Sequence, residues 1–324
     1  MVKKIFIPLL KILISFVLII FLLTKLGLQE VISQFATANI WWLIVGIATF
    51  SLSNLLGSFQ WYFIMKTRGI DLPLGEVISY YYVGLFFNNF LIGYVGGDAI
   101  RIFDISKASG KSSHAISTVF FDRLIGFVML TTLALVAGIA WRNIFHSKSI
   151  IVIILLIFIC WIISFIVLFN ERFAKKIGWA FRFILPSKIS DRIREIYSSI
   201  NSFKHEKKTI LSVLIISFVI QSLRIFVHYF AALSVGVHIH IKYFFVFIPV
   251  IALLASLPIS IGGIGIRESS GVALFSQVNF YQPQAIVAME FLAYVIGLLS
   301  TIPGGLFFMM RKEKFVEQNK SGGK

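Results

Sequence analysis

A single cysteine, Cys160, stands in a chain of 324 residues. One thiol forms no internal disulfide and builds no cysteine metal site. Acidic residues are also scarce, 14 against 30 Lys and Arg. No Gly-x4-Gly-Lys-[Ser/Thr] stretch occurs, which excludes a P-loop nucleotide motor. Gly263-x-Gly265 lacks the strand–helix context of a dinucleotide loop. His114, His146, His205, His238 and His240 sit at segment ends or in loops, and only His238-x-His240 has any ligand-like spacing. We therefore expect no metal, no cofactor and no catalytic residue. No stretch reads as a soluble catalytic domain.

What is present is apolar surface. Hydrophobic residues make up 58% of the chain, and mean hydropathy is +0.91. A soluble domain is nearer half apolar, so this reads as an all-α, polytopic integral membrane protein. The formal charge of +16 suggests nucleic acid in a soluble protein. Here Lys and Arg cluster at segment ends, as in cytoplasmic loops, so no nucleic-acid partner is expected. Met1–Lys4 followed by the apolar run 5–23 reads as a retained first helix, because the run is long and lacks a small-x-small cleavage site.

Segments near the ~20 residues needed to span fall at 5–26, 40–65, 114–140, 149–169, 209–235 and 284–309. Two more, 77–108 and 243–280, are interrupted at Gly96-Gly97 and at Pro258 and Gly262-Gly263. The basic residues lie mostly in 1–4, 66–76, 98–113, 170–208 and 311–324, and the expected outside loops hold only Lys25, Arg142, Lys148 and Lys242. The positive-inside rule then favours six spanning helices plus two re-entrant broken helical hairpins, both termini cytoplasmic, in an inverted repeat. The first repeat covers 1–148 and the second 149–310, with a cytoplasmic tail at 311–324 expected to be loose. Within 170–208, Phe173, Ile177, Phe181 and Ile184 form one apolar helical stripe. Ile193, Ile196, Ile200 and Phe203 form another after Ser190. We expect two amphipathic helices on the anionic inner leaflet, or an elbow that only joins the halves.

The two broken segments share a pattern. Gly96-Gly97-x-x-x-Arg101 and Gly262-Gly263-x-x-x-Arg267 are 166 residues apart. Each reads as a break followed by a half-helix, with Arg about one turn inside. A helix start presents unpaired N–H groups and a positive dipole end, so helix start plus Arg is an anion site suited to phosphate. The expected lipid-phosphate residues are Gly96, Gly97, Asp98, Arg101, Gly262, Gly263, Gly265, Arg267 and Glu268. Asp98 is a candidate cap, and Arg267-Glu268 a candidate internal pair. The plainer reading is that the glycines allow tight packing and Asp98, Asp104 and Glu268 neutralise the arginines.

Further polar groups fall at membrane depth. Asn88 and Asn89 precede the first break. Asp122-Arg123 lies about 8 residues, or ~12 Å, into its helix; neighbours point ~100° apart, so each needs a partner elsewhere, with Arg101 suited to Asp122. Gln221, Arg224 and His228 form one stripe on an apolar helix, matched by Ser51, Asn54 and Ser58 on the equivalent helix of the first half. Glu290 suits Arg224 or Arg267. These residues are expected to line a cavity, although interhelical hydrogen bonding accounts for the serines.

The blocks GYVGGDAIRIFDISKASGKSSHAISTVFFDRLIGF and LPISIGGIGIRESSGVALF resemble the lysylphosphatidylglycerol synthase transmembrane-region, or flippase-like domain, family. The resemblance covers essentially the whole chain and implies a bacterial or archaeal cell-membrane protein with a lipid-translocating fold. Arg101, Asp122-Arg123 and Arg267-Glu268 match family positions. The aminoacyltransferase domain of the bifunctional members is missing, so lysyl transfer is not implied. The expected function is translocation of an anionic lipid or lipid-linked sugar: a phospholipid, glycolipid or polyprenyl-phosphate derivative. The alternatives are a membrane-embedded head-group or glycosyl transferase, with Asp98, Asp104 or Asp122 as its base or metal carboxylate, or a structural partner of a lipid-modifying transferase.

Overall fold

A computed structural model describes residues 36–89, 95–141, 149–170, 195–257, 263–276 and 283–321, with Gln29, Ser33, Gln34 and Ser260. The expected span at 5–26, the stripe Phe173–Ile184, Ile193 and Gly262 lie outside the described residues. The described chain is nearly all helical and contains no strand. In order, the helices are α1 (Ile40–Lys66), α2 (Leu74–Asn88), α3 (Val95–Ser109), α4 (Ser112–Ala140), α5 (Ser149–Phe169), α6 (Lys207–Ser234), α7 (Ile241–Ser256), α8 (Ile266–Phe275) and α9 (Pro283–Ser321).

Four of these, α1, α4, α6 and residues 283–310 of α9, are long and apolar enough to cross a membrane. At 1.5 Å per residue, the 27 residues of α1 reach about 40 Å, beyond a ~30 Å hydrocarbon core. The helices are inside out relative to a soluble fold. Trp41, Leu52, Leu55, Phe59 and Phe63 of α1 face outward, whereas Ser53, Asn54, Ser58 and Gln60 are buried. Apolar tails cost nothing to contact in lipid, and backbone groups close on themselves in a helix. α5 is a 21-residue apolar helix that docks on α4, where Trp161 stacks on Phe127 and donates from Nε1 to Thr131 Oγ1 at 3.1 Å.

Local signals set the helix ends. The Asn39 side chain accepts from the Trp41 amide at 3.0 Å and starts α1. Gly110, at φ 70°, makes the left-handed turn between α3 and α4. α9 continues through 311–321, where the sequence suggests a loose tail; its Glu, Lys and Gln there are good helix formers.

The packing is the same in both halves. α1 lies along α6, and both also touch α4 and α9. α2 packs on α3, α1 and α9; α7 packs on α8, α6 and α4. Exchanging α1–α4 with α6–α9 leaves these contacts unchanged. α2, α3, α7 and α8 have 15, 15, 16 and 10 residues, or about 15–24 Å each, short of the ~30 Å core.

The stripe Ile193–Phe203, expected on the membrane surface, ends inside the protein. Ile200 and Phe203 are buried, and Phe203 stacks on Phe121 with ring centres 4.0 Å apart. Arg68 covers the other face of the ring at 3.8 Å and donates to Ser199 O and Ser202 Oγ. Burial draws the Arg68 guanidinium below its ordinary pKa, and Glu206 opposes the shift. Sequence periodicity shows an apolar face but not whether lipid or protein covers it.

Candidate functional site

The glycine pairs have different local roles. Gly96-Gly97 is not itself the break: α3 already begins at Val95, and the pair occupies its first turn. Any Cβ on Gly97 would run into the Gly84 carbonyl of α2, so the hairpin legs touch backbone to backbone. Asn88 Oδ1 accepts from the Gly97 amide at 2.8 Å, and Asn89 donates to Thr301 Oγ1 at 2.8 Å, tying the hairpin tip to α9. In the second half the glycines do turn the chain. Gly263 and Gly265 have φ 77° and 85°, and α8 starts at Ile266. Arg267 thus lies in the first turn of α8, whereas Arg101 is six residues past Val95, deeper than expected.

Arg101 is enclosed, with 1% exposure. Its Nη2 lies 3.0 Å from Asp122 Oδ2 and its Nη1 3.4 Å from Asp98 Oδ1. Trp61 and Tyr81 face the guanidinium at 4.0 and 4.5 Å. Asp98 is no helix cap: it holds Arg123 through two bonds, Nε at 2.7 Å and Nη2 at 2.8 Å. Gln60 Nε2 donates to Asp122 Oδ1 at 2.9 Å. Two arginines and two aspartates thus form one neutral, charge-assisted network joining α1, α3 and α4.

The second half holds a different charge set. Glu290 of α9, expected opposite an arginine, instead meets His228 Nδ1 of α6 at 3.1–3.2 Å. Glu268 accepts from the Gly265 amide at 2.6 Å and caps α8. The Arg267 guanidinium lies 5.8 Å from the Tyr294 ring centre. Gln221 donates to the Gly126 carbonyl at 3.2 Å, bridging α6 and α4. Arg224 is half-buried, 5.9 Å from the Phe50 ring centre, and among the described residues it has no carboxylate partner.

A model of the lysylphosphatidylglycerol synthase TM region matches residues 9–304 of this chain. The protein belongs to that family. It is also similar to a UPF0104 membrane protein of Pyrococcus horikoshii, 26% identical over 332 aligned positions that cover 95% of this chain and 98% of the relative. With its apolar helices, this member of the TM-region family is a multi-pass membrane protein.

Sequence reading of this family member missed Gln60, Trp61 and Tyr81, which complete the Arg101 enclosure. Gln60 carried a signal: it is 62 residues from Asp122, the same separation as His228 from Glu290. The two contacts are therefore one contact made twice, displaced by 168 residues. The glycine–arginine pattern is displaced by 166, and the two-residue difference hides the second match from a single-offset comparison.

Proposed function

We propose that the protein translocates an anionic lipid or lipid-linked sugar across the membrane, its halves working as inverted repeats around the α1–α6 contact. The observation that carries this reading is Arg224. It lies mid-way along a 28-residue apolar helix, its Nε is buried without a hydrogen-bond partner, and no carboxylate meets it among the described residues. A central arginine costs roughly 2.5–3.5 kcal/mol on insertion scales, so one that no carboxylate contacts calls for an anionic guest. Asn54, 0% exposed, has both side-chain amide atoms unpartnered. It lies one turn from Phe50, the ring nearest Arg224, and so shares that face of α1. An arginine and an amide with unused bonding capacity together suit a phosphate or another oxyanion.

The enclosure of Arg101 gives it a different part. Its ion pairs with Asp122 and Asp98 hold the first half shut, and anion contact through Arg101 requires them to part. Arg267, beside positive-φ glycines at a helix start, offers the second half's counterpart. Short α2, α3, α7 and α8 support re-entrant hairpins, and the basic residues of 66–76 and 98–113 support a cytoplasmic face there. The transferase alternative loses its candidate carboxylates Asp98 and Asp122 to arginine partners.

The test is reconstitution into phosphatidylcholine vesicles carrying labelled phosphatidylglycerol. Passage of label between leaflets with unchanged lipid mass is the expected result; a chemically altered lipid would instead establish the transferase.

A further inference from the structure

The repeated contact changes chemistry between the halves. Gln60 cannot titrate, so its bond to Asp122 is fixed. His228 can titrate, and its bond to Glu290 depends on where a proton sits. Glu290 is 0% exposed, and its Oε2 lacks a hydrogen bond of good geometry. Glu268 is 1% exposed; one oxygen takes the Gly265 amide and Oε1 is buried with no partner. A Cβ on Gly271 would lie 3.1 Å from Glu290 Cγ. Gly271 and Glu268 are three residues apart on α8 and share a face, which brings the two carboxylates and the imidazole onto one side of α8.

We propose that His228, Glu290 and Glu268 form a buried proton-binding site that takes up one proton for each monoanionic head group bound. The coupling rests on the function proposed above; the proton site does not. The charges require this ratio. Arg224 and Arg267 balance Glu268 and Glu290 when His228 is neutral. A bound monoanion leaves one negative charge, and a proton on the His228–Glu290 pair cancels it. In a low-dielectric interior the neutral combination is strongly favoured. Other ionisable groups on the packed elements have partners or lie at helix ends. Asp122 and Arg123 of α4 are paired in the first half, while Lys66, Glu76 and Lys242 terminate α1, α2 and α7.

The experiment is a pH titration of the whole protein in phosphatidylcholine nanodiscs, followed by the infrared carboxyl and imidazole bands. Wild type is expected to bind a proton reversibly with both bands changing. His228→Gln, which rebuilds the Gln60–Asp122 arrangement and so retains the fold, should lose that event entirely, as should Glu290→Gln. A titration unchanged in both variants overturns the site. A pH-indicator dye then follows addition of phosphatidylglycerol: uptake of about one proton per lipid bound supports the coupling, and binding without uptake overturns it. Failure of phosphatidylglycerol to bind refutes the proposed function and the coupling, with the titration still deciding the proton site.

Discussion

Arg101 and Asp122, 21 residues apart, meet at 3.0 Å inside the first half, with 1% and 7% side-chain exposure. One comes from α3 and the other from α4, so the pair fixes short α3 to a long helix. Removing one member of a buried pair strands the other, at about 3–5 kcal/mol.

Arg101→Ala should therefore lower thermal stability sharply, and Asp122→Asn should restore part of the loss in the double variant. Asp98→Asn should restore less, because Asp98 also serves Arg123. Melting of the three variants in detergent checks this. Equal rescue by the two aspartate changes would show that Asp98, not Asp122, is the main partner.

The hairpin also depends on contact between glycine backbones. Gly97→Ala should cost about 3 kcal/mol, the upper range for overpacking, because the obstacle is the Gly84 carbonyl and not a flexible side chain. Gly75→Ala, where a Cβ meets nothing within 4 Å, is the matched control and should leave melting unchanged.

The end of the link between the halves acts as a packed wedge. Phe203→Ala removes a ring held between Phe121 and Arg68 and should destabilise by about 3–5 kcal/mol.

Much of this was readable beforehand, and the failures have physical causes. The long helices followed from hydropathy, and the Arg101–Asp122 contact from the need of a buried charge for a partner. The glycine pairs were harder. Lack of a Cβ permits both a turn and a close helix crossing, and the same dipeptide serves one purpose at Gly96-Gly97 and the other at Gly263. Glu290 found His228 and not an arginine because His228 lies one turn beyond Arg224 on the same α6 stripe, and spacing alone does not show which member of a stripe meets α9. Apolar stripes show amphipathicity but not what lies opposite, which is why Ile200 and Phe203 were misplaced.

The membrane layout has its own check. Reporters fused within 141–148 and 236–240 should be external, and those within 66–76 and after 321 internal. A cytoplasmic reporter at 141–148 would contradict the re-entrant reading of α2–α3, since that segment would then cross.

The most direct test of the account is the rate at which labelled phosphatidylglycerol changes leaflet in vesicles containing Arg224→Gln. Losing a charge-assisted contact worth roughly 1.5–3 kcal/mol should slow movement by about tenfold or more relative to wild type, with melting unchanged and partial recovery in Arg224→Lys. Movement at the wild-type rate in Arg224→Gln, or no movement above protein-free vesicles in wild type, would contradict it.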